Sequence, residues 1–206
     1  MTYIDKSTYN GQWKNDKRNG EGTHTFPNGD VYKGNWNDDS RCGKGTFTGN
    51  GCQYEGNWSK GFKNGEGTMK YPDKSVYKGN WANDKREGKG VLTMANNDKY
   101  EGNWEDDVIQ PLVKIQYSNG DIYEGEIEVK TLQKQGKGVL ISSNGDKYDG
   151  FWAGDKQQGQ GKMVFKERFT YEGLWKDGEM TEEGLLTYTG GKQPSEWKKV
   201  EKIENH

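Results

Sequence analysis

The side chains suited to acid–base, nucleophilic or metal chemistry are few in this chain, and their spacing does not gather them. His24 falls on the apolar side of a predicted strand and His206 is the last residue, which excludes a multi-histidine metal site and most histidine acid–base pairs. Cys42 and Cys52 are the only cysteines. Two thiols in one repeat junction are no disulfide framework, and they fit a reduced, intracellular protein. Paired carboxylates, the equipment of a hydrolase, occur as Asp38–Asp39, Asp106–Asp107 and Glu182–Glu183, all in or near predicted turns where solvation explains them. No Gly-x-x-x-x-Gly-Lys-Ser/Thr phosphate loop is present, and the Gly-x-Gly pairs lie in hairpin strands rather than before helices. The reading is a non-enzyme, with no catalytic residues, no metal site and no cofactor.

What the sequence places regularly is a structural word. Tyr77-Lys78-Gly79-Asn80-Trp81, then Gly88-Lys89-Gly90-Val91-Leu92 after a polar turn, has counterparts starting at Tyr9, Tyr32, Tyr54, Tyr100, Tyr123, Tyr148 and Tyr171. The starts lie 23, 22, 23, 23, 23, 25 and 23 residues apart, a period that marks a stacked repeat protein. Residues 1–8 then form an N-terminal cap, 9–190 the array, and 191–206 a tail. Only 29% of the 206 residues are hydrophobic and 31 are glycine, a composition near that of disordered chains. The 12 Tyr, 8 Trp and 6 Phe, set at a fixed period, argue instead for a thin aromatic core. A net charge of −2 gives no bulk attraction to nucleic acid or anionic membrane. Neither a signal-peptide core nor a run near the roughly 20 apolar residues of a spanning helix is present, so a cytoplasmic protein is expected, with membrane or cytoskeletal association left open.

Tyr54, Gly56 and Trp58 alternate with Glu55 and Asn57, the period of a strand with one apolar face. After the turn, Gly65, Gly67, Met69 and Tyr71 share one side as well, so each unit reads as a hairpin. Glycine lets an aromatic ring lie flat on the sheet, and a side chain added there should cost about 1–3 kcal/mol through overpacking. Asn28-Gly29-Asp30, Asn119-Gly120-Asp121 and Asn144-Gly145-Asp146 are hairpin turns that pair successive units edge to edge. Eight units of two strands, at about 4.8 Å each, would span roughly 75 Å.

Tyr-x-Gly-x-Trp, Gly-x-Gly and Asn-Gly-Asp at this period resemble the MORN (membrane occupation and recognition nexus) repeat family over most of the chain. The resemblance implies an all-β fold: an elongated, twisted, single-layer antiparallel sheet of about eight stacked hairpins with a groove along its aromatic face. Repeats five and six depart from the pattern, with Pro111 and Val113 at glycine positions and Ile127 at the tryptophan. This is either a bend that admits a partner or drift in which the new side chains fill the same space. Ser195 as N-cap, with Trp197, Val200 and Ile203 three apart, predicts a short amphipathic helix in the tail that packs on the last hairpin. Tyr3 and Ile4 are expected to cover the first unit.

Two functions compete. The first is a scaffold that binds a partner peptide or amphipathic helix along a groove of Tyr54, Trp58, Met69, Tyr71, Trp81, Leu92, Met94, Trp104, Ile115 and Tyr117, with a homodimer through a terminal sheet edge as a further expectation. The family resemblance implies scaffolds of this kind. The second is peripheral binding of anionic phospholipid (phosphoinositide or phosphatidic acid) by Lys17, Arg18, Lys60, Lys63, Lys85 and Arg86, which fall in the turns after each tryptophan. Targeting modules of lipid kinases and methyltransferases are also MORN arrays, but nothing here reads as a catalytic domain.

Overall fold

Alternation of Tyr, Gly and Trp with polar residues demands extended backbone, and the structure is all β. The computed structural model describes residues 1–188. Sixteen strands follow in chain order as an antiparallel sheet. They are β1 (Thr8–Lys14), β2 (Lys17–Thr25), β3 (Val31–Asn37), β4 (Ser40–Gly49), β5 (Cys52–Ser59), β6 (Phe62–Lys70), β7 (Val76–Ala82), β8 (Lys85–Thr93), β9 (Lys99–Glu105) and β10 (Val108–Gln116). β11 (Ile122–Ile127), β12 (Lys134–Ile141), β13 (Lys147–Ala153), β14 (Lys156–Phe165), β15 (Phe169–Lys176) and β16 (Glu179–Tyr188) complete it. Among the described residues there is no helix. The helix expected around Ser195 to Ile203 lies outside them. Two compact units divide the chain, one from Met1 to Gln110 and one from Pro111 onward.

In the first unit each repeat closes its hairpin with a two-residue turn. Asn15–Asp16, Asp38–Asp39, Asn83–Asp84 and Asp106–Asp107 have φ between 44° and 71° at both positions. This is type I′ geometry, which matches the strand twist and which Asn and Asp tolerate better than other side chains. Repeats are joined by a longer turn, as where the Phe26 N–H donates to the Asp30 carbonyl at 2.8 Å while Asn28 and Asp30 bond through their side chains. The second unit uses the same two devices, at Gly154–Asp155 and at Asn144–Asp146.

A single layer must build its core against its own backbone. Tyr9, Tyr32, Tyr54 and Tyr77 in the first unit, and Tyr123, Tyr148 and Tyr171 in the second, are 0–1% exposed. Each ring covers a cross-strand glycine pair, such as Gly56 with Gly67 or Gly150 with Gly161. A Cβ on the second glycine of any of these pairs would collide with the ring. The hydroxyl turns back and donates to the carbonyl three residues on, from 2.7 Å for Tyr123 to 3.2 Å for Tyr77. Buried phenol and backbone carbonyl satisfy each other.

The irregular repeats resolve differently in the two units. Tyr100 is half-buried, unlike the other repeat tyrosines. Val113, at a glycine position, and Ile127, at the tryptophan position, are buried in the second unit at 6% and 4% exposed. At the N-terminus the Met1 amine donates to the Tyr9 carbonyl at 2.7 Å, the Tyr9 N–H donates back to Met1, and Thr2 bridges Thr8. Tyr3 is half-buried beside His24, but Ile4, expected to cover the first unit, points fully into solvent.

Gly67→Val should lower stability by about 2–3 kcal/mol, because the Tyr54 ring has nowhere to go. Gly29→Asn, in an open turn with φ 88° and no atom within 4 Å of an added Cβ, should change it by less than about 1 kcal/mol. Urea midpoints of the two variants test the contrast.

Candidate functional site

The tryptophans from Trp36 to Trp175 complete the seal, and each does so with help from the strand before it. Trp36 is 4% exposed, and its indole N–H donates to the Gly22 carbonyl at 3.3 Å. Trp58 to Gly45, Trp81 to Gly67, Trp104 to Gly90, Trp152 to Gly138 and Trp175 to Gly161 repeat the bond at 3.1–3.3 Å. In the first unit Trp13, Tyr9, Trp36, Tyr32, Trp58, Tyr54, Trp81, Tyr77 and Trp104 meet edge to face in one chain, with centroids 5.1–5.6 Å apart. Such pairs add about 0.5–1.5 kcal/mol beyond the area they bury.

Above five of the indoles lies a cation. Arg18 stands 4.1 Å from the Trp36 ring, Arg41 4.2 Å from Trp58, Lys63 4.5 Å from Trp81 and Arg86 4.2 Å from Trp104. In the second unit Lys134 covers Trp152 at 5.2 Å. The hairpin turn of the next repeat anchors the cation. Asp39 accepts the Arg18 amide at 3.0 Å and its Nε at 2.9 Å, and Asp107 does the same for Arg86. Bonds from the Arg18 backbone and then its side chain hold the Asp39 carboxyl below its ordinary pKa. Burial, in turn, lowers that of the Lys63 amine.

These contacts redistribute the expected sites. Of the six cations read as lipid-contacting, Arg18, Lys63 and Arg86 are spent as half-buried covers on tryptophan, and Lys85 pairs with Asp106 at 2.8 Å. Lys17 and Lys60 alone remain exposed without an ion pair, so the six form no free basic edge. Asp39, Asp106 and Asp107, read as solvated, are clasps between repeats. Of the groove residues, Tyr54, Trp58, Trp81, Trp104 and Ile115 are at most 5% exposed and Met69 9%. They are core, because rings that seal a single layer cannot also face a ligand. Tyr71, Leu92, Met94 and Tyr117 stay half-buried and accessible. Phe26 and Phe47, not singled out from the sequence, extend the same strip; the two-residue alternation that selects Tyr71 selects Phe47 as well.

Among the described residues, the side chains singled out for chemistry do not come together. His24 is 7% exposed among Phe26, Trp36 and Tyr3, its Nδ1 has no hydrogen-bond partner, and burial lowers its pKa. Cys42 and Cys52 are free and lie at opposite ends of the β4–β5 ladder, where Gly43 pairs with Trp58 and Gly49 with Cys52. Among the described residues no three His, Cys, Asp or Glu side chains group to hold a metal.

A family model described as MORN repeat matches residues 9–31, 32–53, 54–76, 77–99, 133–147, 148–167 and 171–193. The unmatched residues 100–132 include those where repeats five and six lose their glycines and tryptophan. No curated protein matches the chain. Among solved structures, the TCP domain of SAS-4 (dCPAP) of Drosophila melanogaster, in complex with a proline-rich motif of Ana2 (dSTIL), is similar. It is 11% identical with a TM-score of 0.52, over 85% of this chain and 94% of that one. The TCP10 domain of Danio rerio CPAP is 8% identical with a TM-score of 0.51, over 84% and 82%. At such identities the likeness is one of fold.

Arg86→Ser should cost about 1–2 kcal/mol, since a desolvated cation leaves the Trp104 ring. Red-shifted tryptophan emission and a lower urea midpoint would register it. Burial also raises the phenol pKa of Tyr77 and Tyr148 from 10.0 to about 12. A folded pKa above the unfolded one contributes stability that is complete below pH 10 and is lost as pH rises toward 12. Phenolate absorbance of these rings should therefore appear together with loss of the β signal in circular dichroism, not before it.

Proposed function

Because the chain belongs to the MORN repeat family, we propose that it is a non-catalytic scaffold whose aromatic face takes an extended, proline-rich peptide of another protein. One observation carries the reading. On that face the tyrosine and tryptophan rows, Trp13 and Tyr100 apart, are closed, while the row beside the inter-repeat turns stays half open. In the first unit it comprises Phe26, Tyr71 and Met94 and in the second Tyr117 and Phe165; the half-buried Phe47, Leu92, Leu140 and Leu186, cross-strand partners of Tyr32, Tyr77, Tyr123 and Tyr171, extend it inward. Aromatic and methionine side chains on a fixed backbone suit an apolar peptide that must not reorder the core.

The spacing favours one peptide conformation. Successive repeats lie two strands apart, about 9.6 Å. A polyproline II helix advances about 9.3 Å in its three-residue turn. A peptide running across the strands would thus present every third residue to the same place in each repeat. The bound proline-rich motif on the SAS-4 domain, of like fold, supports this choice of ligand. Phospholipid is not proposed, since three of the six cations that would hold it cover tryptophan and a fourth, Lys85, is paired with Asp106.

Anisotropy of a labelled proline-rich peptide, with a proline every third residue, tests the reading. A Phe47→Ser, Tyr71→Ser, Met94→Ser triple variant, folded by circular dichroism, should bind at least ten-fold more weakly. Lys33→Ser with Lys78→Ser, on the opposite face, should bind as the parent does. Equal binding by all three proteins would sink the proposal.

A further inference from the structure

Six tryptophans donate their indole N–H to a glycine carbonyl of the preceding strand, and in the described residues Trp13 has no strand before it. Trp13 is 41% exposed where Trp36, Trp58, Trp81 and Trp104 are 4–5% exposed. The whole stretch from Asn10 to Lys14 is exposed, whereas in the next repeat Gly34 and Asn35 are half covered and Trp36 is buried. The Met1–Tyr9 hydrogen bonds occupy the Tyr9 end of the β1 edge and stop there. Five residues of strand edge, with an aromatic ring at one end, are open.

We propose that this edge accepts an extended strand from another protein carrying the word Arg/Lys-x-Gly-x-Gly. The chain itself defines that chemistry. The strand laid against each later Tyr-x-Gly-x-Trp edge in the first unit reads Arg18-Asn-Gly-Glu-Gly22, Arg41-Cys-Gly-Lys-Gly45, Lys63-Asn-Gly-Glu-Gly67 or Arg86-Glu-Gly-Lys-Gly90. Its cation covers the indole, and its last glycine offers the carbonyl four residues on. That glycine also pairs with the glycine of the edge, as Gly22 does with Gly34. In the register of β2 on β3, the Gly-x-Gly of the word would pair with Gly11, Gln12 and Trp13, all within the open edge, and the cation would reach past Trp13 toward the turn. Asp16 stands in the β1–β2 turn where Asp39 stands in the next, ready to clasp the incoming cation as Asp39 clasps Arg18. Strand addition of this kind draws affinity from the main chain and specificity from alternate side chains.

A second copy of this chain is a poor occupant. Its last described strand reads Met180-Thr-Glu-Glu-Gly184, with no cation at the first position and a glutamate at the first glycine. The glutamate would lie beside the Trp13 ring, as Gly20 lies beside Trp36. The inference stands apart from the peptide strip of the aromatic face.

The probe is a synthetic peptide with the sequence of residues 17–25, titrated into the full chain and followed by calorimetry and tryptophan emission. Saturable binding with a blue shift is expected. Replacing the peptide's arginine by serine, or its last glycine by valine, should weaken binding at least ten-fold. In the protein, Asp16→Asn, an exposed change compatible with its turn, should weaken it several-fold, and Trp13→Ser should abolish the blue shift. The proposal is overturned if the parent peptide does not saturate, or if binding ignores both peptide substitutions. Concentration-dependent self-association that the peptide cannot compete away would equally overturn it, by showing a second copy on the edge.

Discussion

A tyrosine ring pressed onto a pair of glycines is the interaction on which everything else here rests. A sheet with one layer has no opposite wall, so a large side chain can leave water only by lying on the backbone of its own strands. That requires two neighbouring residues without Cβ, and Gly56 with Gly67 beneath Tyr54 shows the arrangement. The ring then hides the glycines, whose exposed backbone would otherwise weaken the strands. Phenol and carbonyl close the remaining polar gap. Neither residue type works alone, which is why they recur together.

Much of this was legible because the repeat says the same thing eight times. The Tyr54–Trp58 alternation, the glycine phase and the Asn28-Gly29-Asp30 turn each point to hairpins, and hairpins are found. What could not be read is the traffic between repeats. Arg18 and Trp36 are eighteen residues apart, Arg18 and Asp39 twenty-one, and no local period links a basic residue in one turn to a ring in the next hairpin. Read singly, Arg86 is a surface charge and Asp107 a solvated one; in space they cover Trp104 together. The same blindness put Trp58 and Trp81 in a groove, since alternation tells which face a ring is on and not how deep it lies.

Depth separates structure from function on the aromatic face. The repeat tyrosines and tryptophans from Tyr32 to Trp81 are closed by their neighbours, whereas Tyr71 and Met94, beside the inter-repeat turns, stay half-buried. A surface of this sort can change its ligand by substitution at the turn side without disturbing the tyrosine–glycine core. Repeats five and six show the core's own tolerance: Ile127 in place of tryptophan is still buried.

The indole bond also has a direction. Trp36 takes its acceptor from Gly22 and its cover from Arg18, Trp104 from Gly90 and Arg86, and Trp152 from Gly138 and Lys134. In every case the seal comes from residues already made when the tryptophan leaves the ribosome. A nascent chain therefore meets its template in the order of its synthesis, each hairpin folding onto a finished predecessor instead of waiting for a distant partner. By the same asymmetry, deletion of a repeat from the N-terminal side uncovers the first tryptophan that remains.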